Sequence, residues 1–193
     1  MFIESFILAA GSSERTGRVN KLLKKYKGKP LIEHTIQNYL FSKVSRNNII
    51  TGYEKEKIER IANKFNILTH HNRDYKKGLL SSIKIAIKNI NKNSTGVIIG
   101  LADMPLVKSK DLNNLINQFL TYNSKKICVP ICYNKIGNPI IFPSKILKII
   151  AKDIKRQNKD EGLKSIVLKK DYICVRASKG IHKDFDKLSD YTL

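Results

Sequence analysis

A doubly wound, three-layer α/β domain with a mostly parallel central sheet is the fold class this sequence predicts. Three observations predict it. Short apolar runs alternate with amphipathic stretches of helical period along the whole chain, which is the pattern of βαβ units. The first run, residues 2–10, is apolar at nearly every position, as expected for a strand buried on both faces of a parallel sheet. That run then breaks into a polar loop bounded by Gly11 and Gly17, at the carboxyl edge where open α/β sheets bind ligands.

The remaining elements follow in order. Lys29-Pro30 opens an amphipathic helix through about residue 41, with proline at a favoured early position. Residues 48–52 form a short strand ended by Gly52. Residues 54–65 form a helix with Ile58, Ile61, Ala62 and Phe65 on one face. A third strand covers 66–71, and the loop 72–78 leads into a helix whose first turn holds Ser81 and Ser82. Residues 95–101 are the most apolar strand and the expected centre of the sheet, ending in Ala102-Asp103-Met104-Pro105. A helix over 111–122, a strand over 126–132 and a loop from Gly137 into a further strand come next. Helices are expected over 143–152 and 161–168, the second capped by Asp160. A last strand spans 171–175. With 193 residues the chain suffices for one packed α/β domain and is short for two, so 1–193 is read as one unit.

Charge narrows the function classes. The formal net charge is +21, from 37 basic against 16 acidic residues. Such a field attracts polyanions. Yet lysine is spread over every helix and does not interleave with aromatics, so no dedicated nucleic-acid platform is expected. No apolar run approaches membrane-spanning length, and the start Met-Phe-Ile-Glu-Ser lacks a basic region before its apolar run. A soluble, cytoplasmic protein is the expectation. Cys128 and Cys132 share one face of an expected strand, Cys174 stands apart, and no second Cys/His pair occurs at metal spacing. Reduced, mostly buried thiols follow. His34, His70, His71 and His182 form no Ser/His/Asp or Cys/His constellation, which disfavours nucleophilic catalysis.

The first loop carries the chemistry. It holds Ser12, Ser13, Arg15, Arg18 and Lys21 between and beside two glycines. Small residues let backbone N–H groups approach an anion, and the cations neutralise it, so a polyphosphate suits the loop. A flexible basic turn would use the same residues. It is not a Walker A loop, because no Lys-Ser/Thr follows the second glycine. Asp103 lies on the same edge, past the central strand, where a carboxylate would hold Mg²⁺ together with substrate oxygens; a plain turn cap is the other reading. Asp184, Asp186 and Asp190 gather in the tail of a chain poor in acids. One of them would complete a metal site with Asp103, or the cluster is a solvated end.

These pieces together resemble the MobA-like nucleotidyltransferases, and within them the molybdenum cofactor cytidylyltransferases, over nearly the whole chain. The glycine loop resembles Leu8-Ala-Ala-Gly-Ser-Ser-Glu-Arg-Thr-Gly17, followed by Asn20-Lys-Leu-Leu23 and Gly28-Lys-Pro-Leu31. An Asn before a Gly-Leu-Ser-Ser-like helix start matches 72–82. Leu101-Ala-Asp-Met-Pro-Leu106, Gly137-Asn-Pro139, and the closing Asp184-Phe-Asp186 with Asp190-Tyr191 follow in the family's order. The resemblance implies a nucleotide-diphospho-sugar transferase-like, Rossmann-like fold. It further implies that Leu8, Ala9, Ala10, Gly11, Ser12 and Ser13 bind the nucleotide. Arg15 and Lys21 would counter triphosphate charge, Asp103 and Asp186 would hold Mg²⁺, and Gly78 and Ser82 would lie near base or ribose. Leu-Ala-Ala-Gly tends to accompany CTP in the family and Leu-Ala-Gly-Gly tends to accompany GTP, so Ala10 favours cytidine.

The sequence departs from the family in three places. Thr16 stands where Met is usual, and Lys187-Leu-Ser189 replaces Thr-Pro-Glu. Asn158-Lys-Asp160-Glu-Gly162 stands where a Gly-Asp-x-Gly segment near the acceptor is expected. Asn138, Asp160 and Gly162 are therefore the acceptor-side candidates. The implied reaction joins CTP to the terminal phosphate of molybdopterin with release of pyrophosphate, and the family implies hand-over of the product to a molybdoenzyme or its chaperone. GTP in place of CTP, a sugar or polyol phosphate as acceptor, and a non-catalytic nucleotide-binding module are the alternatives.

Overall fold

Side-chain alternation along the strands builds two cores from one sheet. In a computed structural model describing residues 1–12, 19–156 and 167–192, strand β1 (Ile3–Ala9) runs through the middle of the molecule, every residue buried. Ile3, Ile7 and Ala9 point to one core, while Phe6 and Leu8 point to the other. Successive strand residues face opposite ways, so an unbroken apolar run must be covered on both sides.

The layers follow from that requirement. The first face is covered by α1 (Leu31–Leu40), α2 (Lys55–Lys64) and α4 (Ser109–Thr121), through Ile36, Ile58 and Leu115 among others. The second is covered by α3 (Leu79–Lys88) and α5 (Ser144–Arg156), through Ile83 and Leu147. Between these layers lie β4 (Arg46–Thr51), β5 (Leu68–His71), β6 (Gly96–Leu101), β7 (Ile127–Cys132), β9 (Ile140–Pro143) and β10 (Tyr172–Arg176) with β1. Their order is β10-β7-β9-β6-β1-β4-β5. β8 (Lys135–Ile136) forms a short hairpin on β7, and β2 (Lys25–Tyr26) pairs with β3 (Lys29–Pro30) apart from the main sheet.

The expected central strand is central, since β6 pairs with β1 on one side and β9 on the other. The β1, β4, β5 and β6 neighbours are parallel, so their carboxyl ends share one edge. β9 alone reverses within the main sheet path, antiparallel to both β6 and β7. That reversal brings the start of β9, with the cis Asn138–Pro139 bond, beside the carboxyl end of β6. A doubly wound, mostly parallel three-layer architecture is therefore observed.

Two local expectations need correction. Lys29 and Pro30 do not begin the helix: they pair with Lys25 and Tyr26, and α1 starts at Leu31. Extended backbone suits Pro30 here because the helix begins just after it. The thiols are not mostly buried, since Cys128 is buried, Cys132 half-buried and Cys174, on an edge strand, exposed; all three are free. The helix expected over 161–168, with its Asp160 cap, lies outside the described residues except at its end. Among the described residues, no helix is long and apolar enough to cross a membrane.

Candidate active site

At the carboxyl edge of β1 and β6 the chain encloses a cavity of ≈ 350 Å³. Its lining is Leu8 to Ser12 from the end of β1 and the residues after it, Tyr75, Lys76, Gly78, Leu79 and Ser82 from the approach to α3 and its first turn, and Lys21, Leu22, Leu101 and Asp103. The sequence-predicted Leu8, Ala9, Ala10, Gly11, Ser12, Lys21, Gly78, Ser82 and Asp103 thus meet around one space. Ser13, Arg15, Asp160 and Gly162 lie outside the described residues.

The wall formed by the approach to α3 is shaped by one buried amide. Asn72 follows β5, and its N–H donates to Thr51 O of β4 (2.8 Å). Its Nδ2 donates to Ser81 Oγ (2.8 Å) and Ser82 Oγ (3.0 Å), while its Oδ1 accepts the Asp74 N–H (3.0 Å). Gly78, at φ +86, turns the chain into α3 through backbone space that side chains rarely occupy. Gly52 permits the close approach behind this wall: a Cβ there would lie 2.7 Å from the Ala10 Cβ and 2.8 Å from the Tyr75 Cβ.

Asp103 is held by the sheet and by α1. Thr35 Oγ1 of α1 donates to Ala102 O (2.8 Å), the Ala102 N–H donates to Leu8 O (3.0 Å), and Asn38 Nδ2 donates to Pro105 O (2.9 Å). Asp186 arrives from the tail, where the preceding Phe185 N–H donates to Asp103 O (3.0 Å). Lys21 begins a 3-10 turn, Lys21–Leu23, capped by Asn20, whose side chain accepts the Leu22 N–H (3.1 Å). Its ammonium sits between the two acids, donating to Asp103 Oδ2 at 2.5 Å and Asp186 Oδ1 at 2.6 Å.

The electrostatics follow from burial. Burial pushes the Asp103 carboxyl up, and the Lys21 ammonium works against it. Burial alone would lower Lys21, but Asp103 and then Asp186 outweigh it and hold the ammonium above its usual range. Asp103 Oδ1 is buried with no hydrogen-bond partner among the described residues. An orphaned carboxylate oxygen is costly. A divalent cation would satisfy that oxygen, and Mg²⁺ is commonly held by one or two carboxylates plus substrate phosphates. Asp103 and Asp186, with the Lys21 ammonium between them, are the acids that would fit such an ion.

The structure also places residues that the sequence did not single out. Tyr75, Lys76 and Leu79 line the cavity, and Asn72, named in the sequence only as part of a motif, orients Ser82. The Asn-x-x-x-x-x-Gly-x-x-Ser-Ser spacing was the available signal for Asn72. Asp190 is not aimed at the acids but bonds the backbone N–H groups of Asp186 and Lys187. Asn138 lies away from the cavity lining, at the start of β9, its N–H donating to Ile181 O (3.0 Å).

The first residues after β1, a cavity beside them and an acid pair therefore meet at one edge of the sheet. Comparison with known proteins gives the family. Residues 5–173 match the MobA-like NTP transferase domain, and the chain belongs to that family. A molybdenum cofactor cytidylyltransferase of Escherichia coli is 36% identical over 104 residues, covering 53% of this chain and 52% of that protein. The match therefore spans about half the length of that relative. A probable molybdenum cofactor guanylyltransferase of Thermococcus sibiricus is 30% identical over 154 residues, covering 78% of this chain and 73% of its own. Among solved structures, a nucleotidyl transferase from Methanothermobacter superposes with a TM-score of 0.82 at 18% identity, covering 99% of this chain and 94% of that one. That likeness concerns the fold.

Proposed function

We propose that this protein is a Mg²⁺-dependent cytidylyltransferase that moves CMP from CTP to the terminal phosphate of molybdopterin, or of its molybdenum-loaded form. The observation that carries the reading is the continuity of the ≈ 350 Å³ cavity with Asp103, whose buried Oδ1 has no partner among the described residues. The cytidine preference is supported by Ala9-Ala10 in the glycine loop and by the 36% identity to the cytidylyltransferase.

The residues divide the work. The backbone of 8–12 lines the triphosphate side, and Gly11 leaves it open to close approach, with no atom within 4 Å of a Cβ built there. Gly78 and the Asn72-oriented Ser82 face the base or ribose. Lys21 and Arg15 neutralise charge on the transferring phosphoryl. Asp103 and Asp186 would hold Mg²⁺, which when bound would supply charge stabilisation to the transferring phosphoryl. The acceptor phosphate oxygen forms the new bond to the α-phosphorus as the bond to the β-phosphate oxygen breaks. The rate gain comes from positioning and charge stabilisation, with no covalent enzyme intermediate.

A specific observation favours a second reading with the same chemistry and GTP. The guanylyltransferase relative aligns over more of this chain, 78% against 53%. Pyrophosphate release with Mg²⁺, molybdopterin and each of CTP, GTP, ATP and UTP separates the two. Release with CTP alone is expected. Release with GTP alone replaces cytidine by guanosine, and release with none, alongside measurable CTP binding, means a different acceptor or a non-catalytic binding module.

A further inference from the structure

The tail that delivers Asp186 is fastened by two residues that are not part of the cavity lining. Asp190 is buried, and its carboxylate is fully engaged. Oδ2 accepts the N–H groups of Asp186 (2.9 Å) and Lys187 (2.8 Å), and Oδ1 pairs with Lys183. Tyr191 reaches across the chain: its hydroxyl donates to the backbone carbonyl of Lys21 (2.7 Å). Its ring meets Phe185 edge-on (5.4 Å between centroids, 88°), and Phe185 meets Tyr26 in the same way (4.9 Å, 70°). Phe185 is itself fully buried, with its N–H on Asp103 O.

These contacts close a ring. From Asp103 the path runs through the Phe185 N–H to Asp186, from Asp186 through its own N–H to Asp190, and along the chain to Tyr191. From the Tyr191 hydroxyl it reaches Lys21, whose ammonium returns to both acids. Outside one 3-10 turn (Leu188–Thr192), residues 183–192 have no regular secondary structure to hold this geometry. We propose that Asp190 and Tyr191 are positioning residues, forming a latch that sets Asp186 and Lys21 opposite Asp103. This rests on the reading of Asp103 and Asp186 as the metal-binding pair. It assigns Asp190 as an acceptor for backbone N–H groups rather than as a metal ligand.

The test uses the full chain and Mn²⁺ as probe, with free Mn²⁺ counted by electron paramagnetic resonance and the paired Lys21 ammonium followed by NMR in metal-free protein. Asp190→Ala removes the acceptor of both backbone N–H groups and should raise the Mn²⁺ Kd about 10-fold, the scale of losing support for a metal ligand. The paired Lys21 signal should vanish with it. Asp190→Asn keeps a carbonyl for the two N–H groups and should stay within about threefold of wild type, retaining the signal. Tyr191→Phe, which deletes one hydroxyl, should fall between them.

Two outcomes overturn the latch. One is an Asp190→Ala variant with wild-type Mn²⁺ affinity and an intact Lys21 signal. The other is an Asp190→Asn variant as impaired as Asp190→Ala, which would make the carboxylate charge itself the essential feature. If Asp103→Ala leaves Mn²⁺ binding untouched, the metal-pair reading fails. In that case loss of the Lys21 signal in Asp190→Ala still supports the latch, and its retention overturns it.

Discussion

Asp103 and Asp186 grip the same ammonium, but the protein delivers them by opposite means. Asp103 stands just beyond β6, which is paired on both sides, and its side chain is 15% exposed. Asp186, 35% exposed, stands in a tail fixed by the Phe185 N–H bond to Asp103 O and otherwise by side-chain bonds. The sheet holds one acid by backbone pairing that survives most single substitutions. The other depends on a few named side chains, so its placement is conditional on them.

The largest test of that contrast removes each acid in turn. Asp103→Ala should lower kcat by about 10²–10³, the scale of losing one preorganised electrostatic contact at the reacting centre. Asp186→Ala should cost less, about 10-fold, because the more exposed position lets solvent take over part of its role. Steady-state rates for the two variants at saturating CTP and Mg²⁺ give the ratio. A larger loss at Asp186 than at Asp103 would break the comparison.

The same contrast governs what was legible in the sequence. The sheet-held half was readable because its signals are local. An apolar run at 2–10 had to be a buried strand, and Asp103 had to sit at its neighbour's edge once 95–101 was placed beside it. The glycine loop and the Asn72 to Ser82 segment could be read for the same reason, as short motifs next to predicted strands.

From the residues alone the tail-held half was readable only as an acidic cluster, and the resemblance was what singled out Asp186. Which acid faces Lys21 and which caps a turn depends on contacts between residues 170 positions apart, as in the Tyr191 bond to Lys21. No local periodicity encodes such a contact. The Lys29-Pro30 strand was missed for a related reason: its partner is another two-residue strand, too short to show alternation. Lys21 was expected to face phosphates, and it lines the cavity, yet its ammonium lies between the two acids, a geometry that needs all three elements in place.

Glycines under the two acids allow a smaller test. A Cβ at Gly100 would lie 1.8 Å from the buried Tyr39 hydroxyl oxygen, and one at Gly180 would lie 2.1 Å from the backbone carbonyl oxygen of Leu106. Gly100→Ala overpacks the sheet and should destabilise the fold by about 1–3 kcal/mol, with a loss of about 2–10 °C in Tm. Gly180→Ala lifts the segment that leads to Asp186. It should weaken Mn²⁺ binding more, relative to its change in Tm, than Gly100→Ala does. Thermal melts and Mn²⁺ titrations on both variants decide the matter, and equal ratios would mean that sheet and tail are one mechanical unit.

Thiol labelling gives the smallest and most local reading of the same contrast, because it need not perturb the site. Cys128 lies in β7, fully buried, with its thiol pushed up to about 12 by burial, whereas Cys174 lies exposed on the edge strand β10. The thiolate is the nucleophile, so at pH 8 a protonated and inaccessible Cys128 should not react in the native state. Cys174 should label promptly, and half-buried Cys132 more slowly. Cys128 should then label only at the rate of global unfolding, which is the signature of a sheet that opens as a whole. Native-state labelling of Cys128 well ahead of unfolding would show that the sheet interior opens locally. The rigidity assigned to the strand that carries Asp103 would then need a different source, and the nearest one is the Thr35 bond to Ala102 O from α1.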